Sequence, residues 1–172
     1  MKLIYTASQV REAEKPYIEA ADYDGYLMQR AADAVAAEAQ ELLHGKDTAK
    51  ILLLIGPGNN GADTIYAGAR LSAKGHRVDA VIFDPSEKNL ELIAREGGEG
   101  TRVLDPEHTL EHLAGYDLTI DGILGTGSSG AVRGNAGEYL GVLRAAQLDG
   151  KLGVVLAVDT PSGVDNNRGT VH

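Results

Sequence analysis

Apolar residues change their spacing near Lys50. Before it they recur at helical intervals, and after it they gather into short runs separated by helical stretches. In the first part, "TASQ" puts Thr6 at an N-cap and Gln9 at the reciprocal position of a capping box, which predicts a helix to about Ala20 that Pro16 bends or shortens. A second helix is predicted behind Asp24, because Leu27, Ala31, Val35 and Leu42 share a face and Gly45 supplies a stop. In the second part, "KILLLI" from Lys50, "RVDAVIF" from Arg77, "LTID" from Leu118 and "VVLAVD" from Val154 read as strands. The first and last are apolar throughout, which predicts burial on both faces. Residues 62–74, 86–97, 107–114 and 136–147 read as crossover helices. Repetition of strand, helix and strand implies a parallel sheet with helices on both sides.

In such a sheet, ligands bind beyond the carboxyl ends of the strands. Three strands run into unusual polar loops there: "GPGNNGAD" (56–63), "DGILGTGSSG" from Asp121, and "DTPSGVD" from Asp159. The first satisfies a Gly-x-Gly-x-x-Gly turn, and Asp84 lies about 20 residues beyond its last glycine, where a dehydrogenase places an acid on the ribose. Asp63 opposes that reading, since a carboxylate in the first helical turn repels a pyrophosphate approaching the N-terminal amides. A P-loop is excluded because the loop holds no lysine. The glycines and Asn59 or Asn60 also suit a turn with no ligand at all. The second loop offers amides and hydroxyls that can form an anion nest, with Arg133 as an assistant or a solvent-facing residue. In the third, Asp159 is expected against the core, Ser162-Gly163 is expected to expose a hydroxyl and an amide, and Asp165 is expected in the loop.

Composition narrows the function classes. A chain of 172 residues with 43% hydrophobic content suits one well-buried domain. The formal charge of -9 provides no cationic field for nucleic acid. The absence of cysteine excludes disulfides, thiolate metal sites and cysteine nucleophiles. No apolar run approaches a membrane span, and the N-terminus becomes charged too early for a signal-peptide core. A cytoplasmic location with no membrane contact is the expectation.

Together, "GPGNNGAD", "DGILGTG" and "VDTPSGVD", preceded by "LMQRAADAVA", resemble the YjeF N-terminal domain family, the NAD(P)HX epimerases, over nearly the whole chain. The resemblance implies a Rossmann-like three-layer α/β/α sandwich with a mostly parallel central sheet and two N-terminal helices. It implies interconversion of the R and S forms of hydrated NADH or NADPH in nicotinamide nucleotide repair, a homodimer, and an ADP- or ATP-dependent dehydratase as fused domain or partner. By motif position, Asn59, Asn60, Gly61, Ala62 and Asp63, and Gly125, Thr126, Gly127, Ser128, Ser129, Gly130 and Ala131, would contact the hydrated nucleotide. Asp159 would lie at its reactive ring as the acid/base, which requires burial to raise its pKa. Asn60, Asp121 and Ser162 would give oxygen ligands to a potassium ion. Ala62 and Thr64 add bulk where the family has glycine, which predicts a hindered approach of the nucleotide. A non-catalytic nucleotide-binding or protein-interaction module of the same fold is the alternative. The family continues into further strands past the position of His172, which predicts an unpaired edge beside "VVLAVD", and either association there or a mobile tail beyond about Asp165.

Overall fold

The computed structural model describes residues 5–83, 87–128, 130–165 and 168–171. Two helices come first, α1 (Ala7–Ile18) and α2 (Tyr26–Leu42). The capping box at α1 forms as expected: Gln9 N donates to Thr6 Oγ1 and Thr6 N donates to Gln9 Oε1. Pro16 is accommodated inside the last turn. Asp24 accepts from Tyr26 N at the start of α2, where Gly25 takes φ 85°.

The remainder alternates: β1 (Lys50–Ile55), α3 (Asn59–Ala73), β2 (Arg77–Ile82), α4 (Glu87–Glu96), β3 (Thr101–Val103), α5 (Pro106–Glu111), β4 (Leu118–Gly122), α6 (Gly134–Leu148) and β5 (Val154–Ala157). Their sheet has the order β3-β2-β1-β4-β5, with every pairing parallel. Side chains of β1 alternate between two cores. Ile51, Leu53 and Ile55 pack with buried residues of α2, α3 and α4, while Leu52 and Leu54 pack with Tyr139 and Leu143 of α6. These are the two faces of a three-layer α/β/α sandwich.

The structure adds detail or departs from expectation in three places. The buried stripe of α2 is Ala32, Ala36 and Ala39, whereas Leu27, Ala31, Val35 and Leu42 are only half-buried. Small side chains let α2 approach α3, and Arg70 of α3 clamps the pair by donating to Gln29 Oε1 (2.7 Å). The strand at the end of the apolar run, β5, is an edge strand with Val154 43% and Val155 38% exposed, so it is not covered on both faces. Among the described residues the expected unpaired edge is present beside β5, and past Asp165 the chain pairs back, β6 (Val164–Asp165) lying antiparallel to β7 (Thr170–Val171), which departs from the mobile-tail half of the expectation and leaves the association half open. The short edge strand β3, with burial on one residue only in part, had no counterpart in the sequence reading.

Candidate functional site

The carboxyl ends of β1 and β4 are held together by glycine. Gly56 N donates to the Gly122 carbonyl (3.1 Å), and a Cβ on Gly56 would collide with the Ile123 carbonyl. Gly58 takes φ 82° and turns the chain into α3, which begins at Asn59; Asp63 lies just past the first turn, where a carboxylate in that turn was expected. A Cβ on Gly61 would strike the Gly56 carbonyl, so α3 rests directly on the strand end. Asn59 faces solvent, whereas Asn60 and Asp63 are buried.

The bulk feared at Ala62 and Thr64 is directed inward. Ala62 belongs to the core, and the buried Thr64 hydroxyl donates to the Asn60 carbonyl (2.8 Å) while packing against Gly122. Neither side chain thickens the exposed face of the loop.

Asp121, at the end of β4, is tied to the third loop. Ser162 N donates to its Oδ2 (2.9 Å), the Ser162 hydroxyl donates to its Oδ1 (2.7 Å), and Ile123 N also donates to Oδ1 (3.2 Å). Ser162 Oγ accepts from Leu124 N (3.0 Å), which joins the second loop to the third. The expected exposed hydroxyl and amide at Ser162 are therefore both engaged, because Asp121 provides the acceptors. Asp159 is likewise not against the core: it is exposed. It sits with φ 61° at the centre of a turn closed by Thr160 N donating to the Val158 carbonyl (2.7 Å). Positive φ at a residue other than glycine is a local strain that the surrounding loop maintains.

The three loops converge at Gly125. A Cβ there would lie 3.0 Å from Asn60 Oδ1 and 3.0 Å from Asp159 Oδ2. Only glycine leaves both oxygens open to the gap. Among the described residues, Asn60 Oδ1, Asn60 Nδ2 and Asp63 Oδ1 are buried without a hydrogen-bond partner. Asp63 consequently titrates far from the ordinary carboxylate range. Burial first, then the Asp159 and Glu14 charges, push its pKa up to about 7. The burial expected at Asp159 is thus found one loop away, on Asp63.

The rest of the second loop is more open. Gly125, Ser128 and Gly130 are half-buried, while Thr126, Gly127 and Ala131 are exposed; Ser128 donates to the Gly125 carbonyl (2.7 Å). Ser129 and Asp84 lie outside the described residues. A largely apolar cleft of about 650 Å³ adjoins this loop, walled by Pro57, Phe83, Ile123, Leu124 and Val132 with Arg133 at its rim. Two residues escaped the sequence reading. The Arg11 guanidinium of α1 lies 3.8 Å from where a Cβ on Gly127 would be, and Glu14 of the same helix acts on Asp63. Nothing local to "QVREAE" announces that α1 returns over loops more than forty residues downstream.

Comparison with known proteins agrees with this architecture. The family model described as YjeF-related protein N-terminus matches residues 25–172. The bifunctional NAD(P)H-hydrate repair enzyme Nnr of Corynebacterium glutamicum is 34% identical over 98% of this chain, which covers 29% of that protein. The NAD(P)H-hydrate epimerase of Microbacterium testaceum is 35% identical over 96% of this chain, covering 62% of the relative. The crystal structure of yeast ynu0 superposes with a TM-score of 0.76 at 19% identity, covering 99% of this chain and 75% of that one, and so shares the fold. The chain spans about a third of the length of the bifunctional relatives it matches.

Proposed function

The chain belongs to the family of YjeF-related protein N-termini, and from that membership we propose that it interconverts the R and S forms of hydrated NADH or NADPH. The observation that carries this reading is the meeting of Asn60 and Asp159 at Gly125, with the buried Asp63 feeling the Asp159 charge, at the strand edge where a dinucleotide would lie.

The epimeric centre, C6 of the hydrated nicotinamide ring, carries a hydroxyl and adjoins the ring nitrogen. Breaking the C6–O bond sends its electron pair to oxygen, which takes a proton and leaves as water. The nitrogen lone pair offsets the electron deficiency and leaves a planar cationic ring. Water then adds to either face and returns the proton. The chain must therefore hold one proton near neutral pH and lend it reversibly. Asp63, with a pKa of about 7, has the matched acidity. Asp159 is the exposed carboxylate of the group and hence the one that meets the ring, with its charge helping to keep the Asp63 proton in place. The apolar cleft suits the adenosine portion, and the Gly125–Ala131 segment with Arg11 suits the pyrophosphate. Asn59, exposed at the start of α3, would contact the nucleotide from the first loop.

A potassium ion fits the polar end of the site. Asn60 brings a buried amide oxygen that lacks a partner, and Asp121 and Ser162 bring a carboxylate and a hydroxyl already locked together. All are hard oxygen donors, and a bound cation would offset the negative charge of the carboxylates and fix the loops. In the same proposal the protein is a homodimer, with exposed Val10, Tyr17 and Ile18 on α1 as apolar contact surface, and an ADP- or ATP-dependent dehydratase, fused or separate, consumes one epimer. Among the described residues no helix is long and apolar enough to cross a membrane.

The test starts from one purified epimer of hydrated NADH, with and without protein, in potassium and then in sodium buffer, and follows the second epimer by chromatography. Accelerated equilibration that weakens in sodium is expected. Tight nucleotide binding with no acceleration would favour the non-catalytic module, the reading to which the exposure of Asp159 lends some weight.

A further inference from the structure

The connection from β3 to β4 carries ligating side chains that the nucleotide site does not use. Helix α5 is short, capped by Asp105, whose carboxylate accepts from Glu107 N (2.9 Å). One face is buried: the Thr109 hydroxyl donates to the Pro106 carbonyl (2.8 Å) and lies 2.7 Å from Tyr139 Oη of α6. The opposite face holds His108, Glu111 and the C-cap residue His112, all exposed. Spacings of three and four residues set all three on one side of a helical turn. Their ligand atoms lie within 4.8 Å of one another, and the two imidazole rings have centroids 4.7 Å apart at 34°.

The tautomer of His112 is fixed by its neighbour. Its Nδ1 lies 2.8 Å from the His108 carbonyl, which can only accept, so Nδ1 carries the proton and Nε2 presents its lone pair. A ring nitrogen donating to a backbone carbonyl is the arrangement that orients a histidine toward a metal. No ion pair ties Glu111 to a lysine or arginine among the described residues. Two imidazoles and one carboxylate form a borderline ligand set that suits Zn²⁺, Ni²⁺ or Cu²⁺ and suits Mg²⁺ poorly.

We propose that His108, Glu111 and His112 form a binding site for a divalent transition-metal ion of the Zn²⁺ class, separate from the nucleotide site. Tetrahedral bonds of about 2.0–2.1 Å need ligand atoms about 3.4 Å apart, so small rotations of three exposed side chains close the site without moving the core. Three protein ligands leave one position for water. The ion would join His108 in the helix to His112 just beyond it, fixing a short helix that has little stability of its own. Pro106, at the other end of that helix, lines the apolar cleft, so occupancy would stiffen one wall of it.

Tag-free, metal-stripped protein is titrated calorimetrically with ZnCl₂, and separately with MgCl₂. One Zn²⁺ per chain at micromolar affinity and no heat from MgCl₂ are expected. His112→Gln and, as a second variant, His108→Gln should each weaken Zn²⁺ binding roughly tenfold or more. His44→Gln, at an exposed histidine elsewhere, should leave it unchanged. Zn²⁺ should also raise the melting temperature of the unmutated protein by more than that of either cluster variant. Equal Zn²⁺ affinity in the unmutated protein and both cluster variants overturns the site, as does the absence of Zn²⁺ binding. This outcome is independent of any epimerase assay.

Discussion

Asp79 and Asp63 are both withdrawn from water, at 1% and 9% exposure, yet their surroundings are opposite. Asp79, in β2, is fully served: Arg102 donates to Oδ1 through Nε (2.8 Å) and approaches it again through Nη2 (2.7 Å), and the Tyr116 hydroxyl donates to Oδ2 (2.9 Å). Lys50 adds a positive charge 3.9 Å from Oδ2 and lies over the Tyr116 ring. Asp63, near the start of α3, has a buried oxygen with no hydrogen-bond partner and two like charges nearby. The first arrangement uses a charge to join strands and loops. The second keeps a proton to near neutral pH that an ordinary carboxyl would have lost, and a buried polar atom left without a partner costs stability that a purely structural role would not require. The contrast separates the carboxylate that builds the sheet from the one available for chemistry.

The strongest way to break that contrast is Asp63→Asn. The amide has the same shape and cannot cycle a proton, so epimerisation should fall about 10²–10⁴-fold. Stability should move the other way. A folded pKa of about 7 against 3.8 for the free side chain means that stability is fully present below pH 3.8 and is lost as pH rises through 7. The ionised form costs on the order of 4 kcal/mol above that range. Urea unfolding at pH 5 and pH 9 should show this loss in the unmutated protein and its absence in Asp63→Asn. If both proteins respond identically to pH, Asp63 is not the strained group.

Asp79→Ala sharpens the other half. It leaves the buried Tyr116 hydroxyl without its acceptor and removes the centre of a charged network, at an expected cost of about 3 kcal/mol in unfolding free energy. Activity per folded molecule should be unchanged. A large specific loss of turnover would mean that the sheet network reaches the nucleotide site.

What the sequence disclosed follows the range of the interactions involved. The Thr6–Gln9 capping box is complete within four residues, and the β1 run needs only its own composition, so both were readable. The three polar loops could be placed at one edge because parallel topology alone puts them there. Strand β3 was missed because "TRV" is too short and too polar to stand out, and it exists by pairing with β2. The apolar β5 was misread because composition reports what a strand could bury, whereas exposure depends on which neighbours stand beside it. At the site, the Asp121–Ser162 bonds span 41 residues, and the burial of Asp63 depends on how α3 seats on the strand ends. No local pattern encodes either. The sequence could therefore name the carboxylates while assigning burial to the wrong one.

A third buried titratable group, His76, tests the comparison with opposite charge and a smaller effect. It stands where α2, β1 and β2 meet: Ala49 N donates to its Nδ1 (3.0 Å), and its Nε2 abuts the Gln40 amide. A backbone N–H can only donate, so Nδ1 must keep its lone pair and the ring is held neutral. Burial foremost, and then the Lys74 charge, lower its pKa below the ordinary 6.5, although Asp117 pulls weakly the other way. Like Asp79 and unlike Asp63, it has its partners in place, but it holds them only while unprotonated. Because the folded pKa is the lower one, its contribution is present above pH 6.5 and is lost as pH falls through the folded value. The expected loss is about 1 kcal/mol, the size of one hydrogen bond. Comparing unfolding at pH 7.5 and pH 5.5 in the unmutated protein and in His76→Gln isolates it, since the carboxylates titrate in both. The variant should be less stable at pH 7.5, and the gap should narrow at pH 5.5. A gap that stays constant would show that Ala49 N finds another acceptor when the ring is protonated, and that His76 matters for its shape alone.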